Sequence, residues 1–194
     1  MNTPDIKSKI SDSIASLEHV YQLKSMARSG WLQSGIAAED VESIASHSFG
    51  MSILILYLSS GLKEAGIDVS RALSMALIHD VAESIVGDIT PDDAVLSSEK
   101  FAAESEAFDV IMDRVVDGKY FRELWDEFEA NKSREARLVK RIDKLDMLFQ
   151  AYLYEKKFSL RLDSFWENMD DLFRGSESES LYTYIRLNRY EVEG

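Results

Sequence analysis

Apolar residues recur along this chain at steps of three and four, the spacing of one face of a helix rather than the alternation of a strand. Thr3-Pro4-Asp5 reads as an N-cap, a proline at the first helical position and a dipole-favoured acid. Ile6, Ile10, Ile14, Leu17 and Tyr21 then keep helical spacing. Ser and Gly interrupt the pattern in "ARSGWLQSGI" (27–36). A long helix is expected from Glu39 to Leu62, with Ile44, His47, Met51, Leu54 and Leu58 on one stripe. "GLKEAGIDV" (61–69) closes it, and Ser70 caps the next helix, over about 71–86. "GDITPDD" (87–93) is a loop into another start, with Thr90 before Pro91 and with Asp92 and Asp93 serving the helix N-terminus.

Helices are expected over 98–117 and 119–130, separated by Gly118. "NKS" leads into a long one at 133–157, with Leu138, Ile142, Leu145, Phe149 and Tyr152 on its apolar face. Ser164-Phe165-Trp166-Glu167 matches a capping box, and a last helix covers about 178–190. No internal repeat and no convincing strand emerges. The expected fold is all-α without significant β-sheet, one domain over 1–194.

Composition adds exclusions. The chain has 194 residues, 45% of them hydrophobic and 29% charged, an ordinary globular balance, and 2 prolines with 9 glycines leave little punctuation for a many-stranded fold. The net charge of −13, and the interleaving of "KSREARLVKR" (132–141) with apolar positions, argue against binding polymeric nucleic acid, whose affinity comes largely from neutralising phosphates. A small anion held by one metal and one or two cations fits. With 0 cysteines, disulfides and thiolate chemistry are excluded. "MNTPDIKSKISDS" lacks the apolar core of a signal peptide, and "MSILILYL" (51–58) is too short to span a bilayer. A soluble, cytoplasmic protein with no membrane partner is expected.

One stretch breaks the amphipathic logic. "LSMALIHDVAESIVGDITP" (73–91) places His79, Asp80, Glu83 and Asp88 almost in a row within an apolar segment, and buried ionisable groups are costly unless paired or bound to a metal. The chain has 3 histidines. His19 sits beside Glu18 and reads as a surface or half-buried residue. His47 and His79 each fall among Ile, Leu and Met. A lone histidine on such a stripe is more often a satisfied core residue than a ligand, but two, one followed at once by Asp, point to a shared site. Imidazole and carboxylate suit a divalent cation of the Mn to Zn series. Asp143, beside the apolar face of the 133–157 segment, is a poor helix former and an odd neighbour for Ile142 and Leu145. A metal accounts for all four.

This H…HD…D arrangement resembles the HD-domain metal-dependent phosphohydrolases. "RSGW" (28–31), "ESIASHS" (42–48), "HDVAESIVGDITP" (79–91) and "KRIDKLDMLFQAYLYE" (140–155) occur in the order found in the 5'-deoxynucleotidase branch. The resemblance covers a core of about 28–155, leaving helices 156–194 to pack on it or at a subunit interface. It departs at Ser46, where many relatives carry an acid before the first histidine, an expected weakening of the support around His47. The resemblance implies that His47, His79, Asp80 and Asp143 hold one divalent metal ion (Mn, Co, Fe, Ni, Zn or Mg). Dinuclear relatives generally need more histidines than this chain has. Glu83 would orient or deprotonate a water; Asp88 would contact the sugar and share the catalytic role; Arg28 would bind phosphate; Trp31 and Thr90 would complete the substrate pocket.

The implied activity is hydrolysis of a nucleoside 5'-monophosphate, preferably deoxy, by a homodimeric enzyme. The alternatives are an HD phosphohydrolase of another phosphoester, such as a cyclic nucleotide or a nucleoside triphosphate, and a non-catalytic helical module that binds nucleotide and metal.

Overall fold

The computed structural model describes residues 3–189, with side chains from residue 13 onward. Its helices are α1 (Thr3–Gln22), α2 (Ser29–Gln33), α3 (Ile44–Tyr57), α4 (Ser59–Glu64), α5 (Val69–Ile78), α6 (Glu83–Val86), α7 (Ser97–Met112), α8 (Gly118–Ala130), α9 (Arg134–Phe158), α10 (Asp163–Trp166), α11 (Asp170–Phe173) and α12 (Glu179–Leu187), with a 3-10 turn at Pro91–Asp93. Among the described residues the only extended pairing is an isolated bridge between Ala27 and Ser43, so the all-α expectation holds. No described helix is long and apolar enough to cross a membrane. The Thr3-Pro4-Asp5 cap side chains and the first stripe positions, Ile6 and Ile10, lie outside the described side chains, and Tyr190 lies outside the described residues.

The chain divides into two compact units, each built from two segments. The first takes the residues up to Ser48 together with Leu77–Glu127; the second takes Phe49–Ala76 and everything from Phe128 onward. The first unit gathers α1, α6 and α7. Its core is Leu23, Ile44, Val81, Ala82, Ala107, Phe108, Ile111, Met112 and Trp125. Phe108 stacks on Trp125 with ring centroids 5.2 Å apart, and each such buried aromatic removes enough apolar surface from water to stabilise the unit by roughly 2–3 kcal/mol. The second unit is organised by α9, which packs on α10 and α12. Ser133 caps α9 by accepting the Ala136 N–H at 3.0 Å. In α3, a Cβ added at Gly50 would collide with Asp146 Oδ1 of α9, so the glycine leaves room for that carboxylate.

Several boundaries differ from the periodicity. The helix expected from Glu39 begins at Ile44, because residues 42–44 instead bond to 26–28: Arg28 N–H donates to Glu42 O at 3.1 Å and Ile44 N–H to Met26 O at 2.9 Å. Asp68, not Ser70, caps α5, its Oδ1 accepting from Arg71 N–H at 3.0 Å. The helix expected over 71–86 ends at Ile78 and resumes at Glu83, with i to i+3 bonds such as Glu83 N–H to Asp80 O at 3.0 Å between. α7 stops at Met112 rather than at 117. Ser164 lies inside α10 rather than capping it. On α9, Leu138, Ile142 and Leu145 are buried as expected, whereas the buried face then continues through Leu148, Ala151 and Tyr154 and leaves Phe149 exposed. Over seven turns a 3.6-residue period drifts away from a strict three-four count.

Candidate active site

The break after Ile78 brings the first unit's polar residues together. On a continuous helix His79 and Asp80 would diverge by about 100°. In the tight turn that replaces it, His79 Nε2 lies 3.0 Å from Asp80 Oδ2. His47, in the first turns of α3 and completely buried, places its Nε2 3.9 Å from the same oxygen. The two imidazole rings meet edge to face with centroids 5.6 Å apart. Arg28, in the turn before α2, brings Nη1 to 3.6 Å from Asp80 Oδ2. Two imidazole nitrogens and a guanidinium thus converge on one carboxylate oxygen.

Burial pushes the Asp80 carboxyl up, but His79, then His47 and Arg28, outweigh it and hold the group well below the usual carboxylate range. Two imidazole nitrogens and a carboxylate kept ionised are donors that a divalent cation of the borderline series accepts, so the residues fit a metal. Glu83, the first residue of α6, is also buried, at 6% exposure. Its Oε2 has no hydrogen-bond partner among the described residues. Burial, then the negative charges of Asp80 and Asp88, raise its pKa well above the ordinary carboxylate value. A buried carboxyl oxygen left open, with raised proton affinity, is equipped to take a proton.

The other expected site residues fall as follows. Gly87 leaves α6 with φ +83°, which suits a residue without a side chain, and turns the chain into the loop that carries Asp88 and Thr90. Asp88 Oδ2 accepts the Ser29 N–H at 2.6 Å, which ties this loop to the start of α2. The Thr90 hydroxyl lies 2.9 Å from both Gln33 Oε1 and Asp93 Oδ2. Thr90 and Asp93 form a reciprocal capping box, which gives Asp93 the helix-start role expected of it. Trp31 is buried, and its Nε1–H donates to Glu42 Oε1 at 2.9 Å. Ser46 is exposed on α3 and pairs with the Ser43 hydroxyl at 2.9 Å, as part of the helix start. Asp143 belongs to the second unit, on α9, where its Oδ2 lies 3.1 Å from Lys144 Nζ.

Two contributors gave no local signal. Trp125 Nε1–H donates to the backbone carbonyl of His79 at 3.2 Å, satisfying a carbonyl that the broken helix leaves free and fixing the turn. Lys100 Nζ donates to Ile89 O at 2.6 Å. Both bonds join different elements and end on backbone carbonyls, so periodicity carries no information about them.

The family model described as HD domain matches residues 20–178. This chain belongs to the HD domain family. It is 34% identical over 179 residues to 5'-deoxynucleotidase HDDC2 of Dictyostelium discoideum, covering 87% of this chain and 93% of that one. To 5'-deoxynucleotidase hdd1 of Schizosaccharomyces pombe it is 40% identical over 149 residues, 74% of this chain and 72% of the other. Among solved structures, the PH0347 protein of Pyrococcus horikoshii OT3 superposes with a TM-score of 0.73 at 38% identity, covering 90% of this chain and 96% of that one. The HD family binds a divalent metal, as the donor set around Asp80 suits.

Proposed function

We propose that this HD-family protein is a metal-dependent phosphohydrolase that converts (deoxy)nucleoside 5'-monophosphates to nucleoside and phosphate. The observation that carries the reading is the convergence of His47 Nε2, His79 Nε2 and Arg28 Nη1 on Asp80 Oδ2. The names of the relatives, 5'-deoxynucleotidases over most of the chain, support the substrate class. The family model runs through segments of both units, which supports one HD domain over 1–194.

In this reading His47, His79, Asp80 and Asp143 would hold one divalent ion. Support for Asp143 comes from the family pattern in "KRIDKLDML", and from its place one turn before Asp146 on a helix with an otherwise buried apolar face. A bound divalent ion would polarise a phosphoryl oxygen and lower the pKa of water. Glu83 orients the attacking water with its open oxygen and takes the proton the water gives up. Arg28 binds the phosphate and offsets the charge that grows on its oxygens as the bond to the leaving 5'-oxygen breaks. Asp88, with one oxygen held by Ser29, presents the other to the sugar, where it would accept from a 3'-hydroxyl. Thr90 and Trp31 support the same wall, Trp31 by fixing the segment that carries Arg28.

The test is phosphate release from matched 5'-deoxy, 5'-ribo and 3'-monophosphates of one base, with and without Mn²⁺ or Co²⁺. The 5'-deoxy substrate is expected to be fastest, and comparable rates on 5'- and 3'-isomers would overturn the reading. The same proposal includes cytoplasmic residence and a homodimer. The dimer is supported by the exposed apolar stripe Phe49, Ile53, Leu56 and Tyr57 on α3, and a molecular mass by light scattering decides it.

A further inference from the structure

Lys100 stands where local electrostatics do not favour it. It lies four residues into α7, near the positive end of the helix dipole, where acids rather than cations are stabilised. Its i,i+4 partner Glu104 is 3.5 Å away, but Lys preceding Glu is the weaker orientation of such a pair. The helix itself therefore offers little reason for a lysine. The reason lies off the helix, where Nζ donates to Ile89 O at 2.6 Å, in the middle of the loop between Gly87 and Pro91. A hydrogen bond from a charged donor is roughly twice as strong as a neutral one.

That loop has two sets of attachments. On the side of α2 they are Ser29 N–H to Asp88 at 2.6 Å, Gln33 Nε2–H to Asp93 Oδ1 at 3.2 Å, and the Gln33–Thr90 contact at 2.9 Å. On the side of α7 the attachment is Lys100. Ile89 lies between Asp88 and Thr90, the two loop residues assigned to the substrate, so its carbonyl is where one bond orients both neighbours. The ammonium charge also favours the ionised forms of Glu83 and Asp93, and so offsets a small part of the negative charge that this acidic loop gathers.

We propose that Lys100 is a positioning residue: by holding the Ile89 carbonyl it fixes the 87–93 loop, and so selects for the nucleoside part of the substrate without touching the phosphate. The proposal rests on the 5'-monophosphatase reading for its substrate, but its structural half does not.

The test compares Lys100→Met, which keeps length and removes every donor, with Lys100→Arg, which keeps the cation. Four quantities are read: kcat and KM for a 5'-deoxynucleoside monophosphate, Ki for inorganic phosphate as product inhibitor, and amide hydrogen exchange of residues 87–93 without substrate. Lys100→Met is expected to raise KM about tenfold while Ki for phosphate stays within about twofold, the pattern of lost binding to one part of the substrate. Exchange in the loop should quicken about tenfold while α7 and α8 are unchanged, and Lys100→Arg should return both quantities to near wild type. A parallel rise in KM and in the phosphate Ki would overturn the proposal and make Lys100 a direct phosphate ligand. Unchanged exchange in Lys100→Met would overturn it as well. Wild-type protein inactive on every monophosphate would sink the functional reading alone, because the exchange measurement needs no substrate.

Discussion

Both units bury charge, and they do so in opposite ways. In the second unit, Arg189 is buried and bidentate to Glu155, with Nε 3.0 Å from Oε2 and Nη2 2.6 Å from Oε1. Nη2 also reaches Asp163 Oδ1 at 2.8 Å, Leu162 N–H donates to Glu155 Oε1 at 2.9 Å, and the guanidinium lies 4.3 Å over the Trp166 ring. Charge and hydrogen-bonding capacity close on themselves, pinning Arg189, just after α12, to α9 and α10. In the first unit, Asp80 collects three cationic or imidazole neighbours on one oxygen while Glu83 keeps an open buried oxygen. A closed circuit of buried charge is architecture; an open one is equipment for chemistry. Burial alone does not distinguish the two, whereas the account of partners does.

Changes that break this contrast come first. His79→Ala and Asp143→Ala should each abolish bound metal and phosphate release together, as read by elemental analysis and a phosphate assay; equal metal in Asp143→Ala would remove Asp143 from the set. In the second unit, Arg189→Met should cost about 3–5 kcal/mol in urea unfolding, because it leaves Glu155 buried without its counter-charge. Its kcat at 25 °C should be unchanged. Replacing both partners, Arg189→Met with Glu155→Leu, should recover much of that loss, since an apolar pair has no charge to strand.

Glu83 should behave in the reverse sense. Glu83→Gln is expected to keep its metal and lower kcat at least about 10²-fold, the scale of a positioned acid–base group. Unchanged turnover would make Glu83 a structural residue. The smallest effect is on stability against pH in metal-free protein. The folded-state pKa of Glu83 is raised above its ordinary 4.5, first by burial and then by Asp80 and Asp88. The folded state therefore holds a proton that the unfolded chain releases. The stability linked to that proton is full below about 4.5 and is lost as pH rises toward the folded value. Glu83→Gln, which cannot ionise, should gain on wild type more at pH 8 than at pH 4, and an equal difference at both would refute the assignment.

How far the sequence reveals these features depends on range. α9 was legible because Ser133 caps it and twenty-five residues repeat one pattern. The break at Ile78 was not, since nothing in the local composition separates the turns at 79–82 from the helices on either side, while Val81 and Ala82 pack into the core with Trp125, whose ring N–H takes up the His79 carbonyl. The cap of α5 went to Asp68 over Ser70, a shift of two residues that either side chain could chemically support. The pairing of His47 with His79 and Asp80 was readable from oddity alone: ionisable groups on apolar stripes. Arg28 was readable only through the family pattern, and Lys100 and Trp125 through neither. Their partners are backbone carbonyls, which leave no trace in composition.

Gly50 carries a consequence for variation. It sits in α3 beside exposed Phe49, yet a Cβ at this position would meet the Asp146 carboxylate. Substitutions at 50 should therefore be less tolerated than their half-buried position suggests, alongside the expected intolerance of the buried core positions Met51 and Ile55. The intolerance at 50 would be set by a carboxylate on a different helix, almost a hundred positions later in the chain. Drift at Gly50 is then coupled to residue 146: Gly50→Ala forces the Asp146 carboxylate to shift, and should cost less once Asp146 has been shortened.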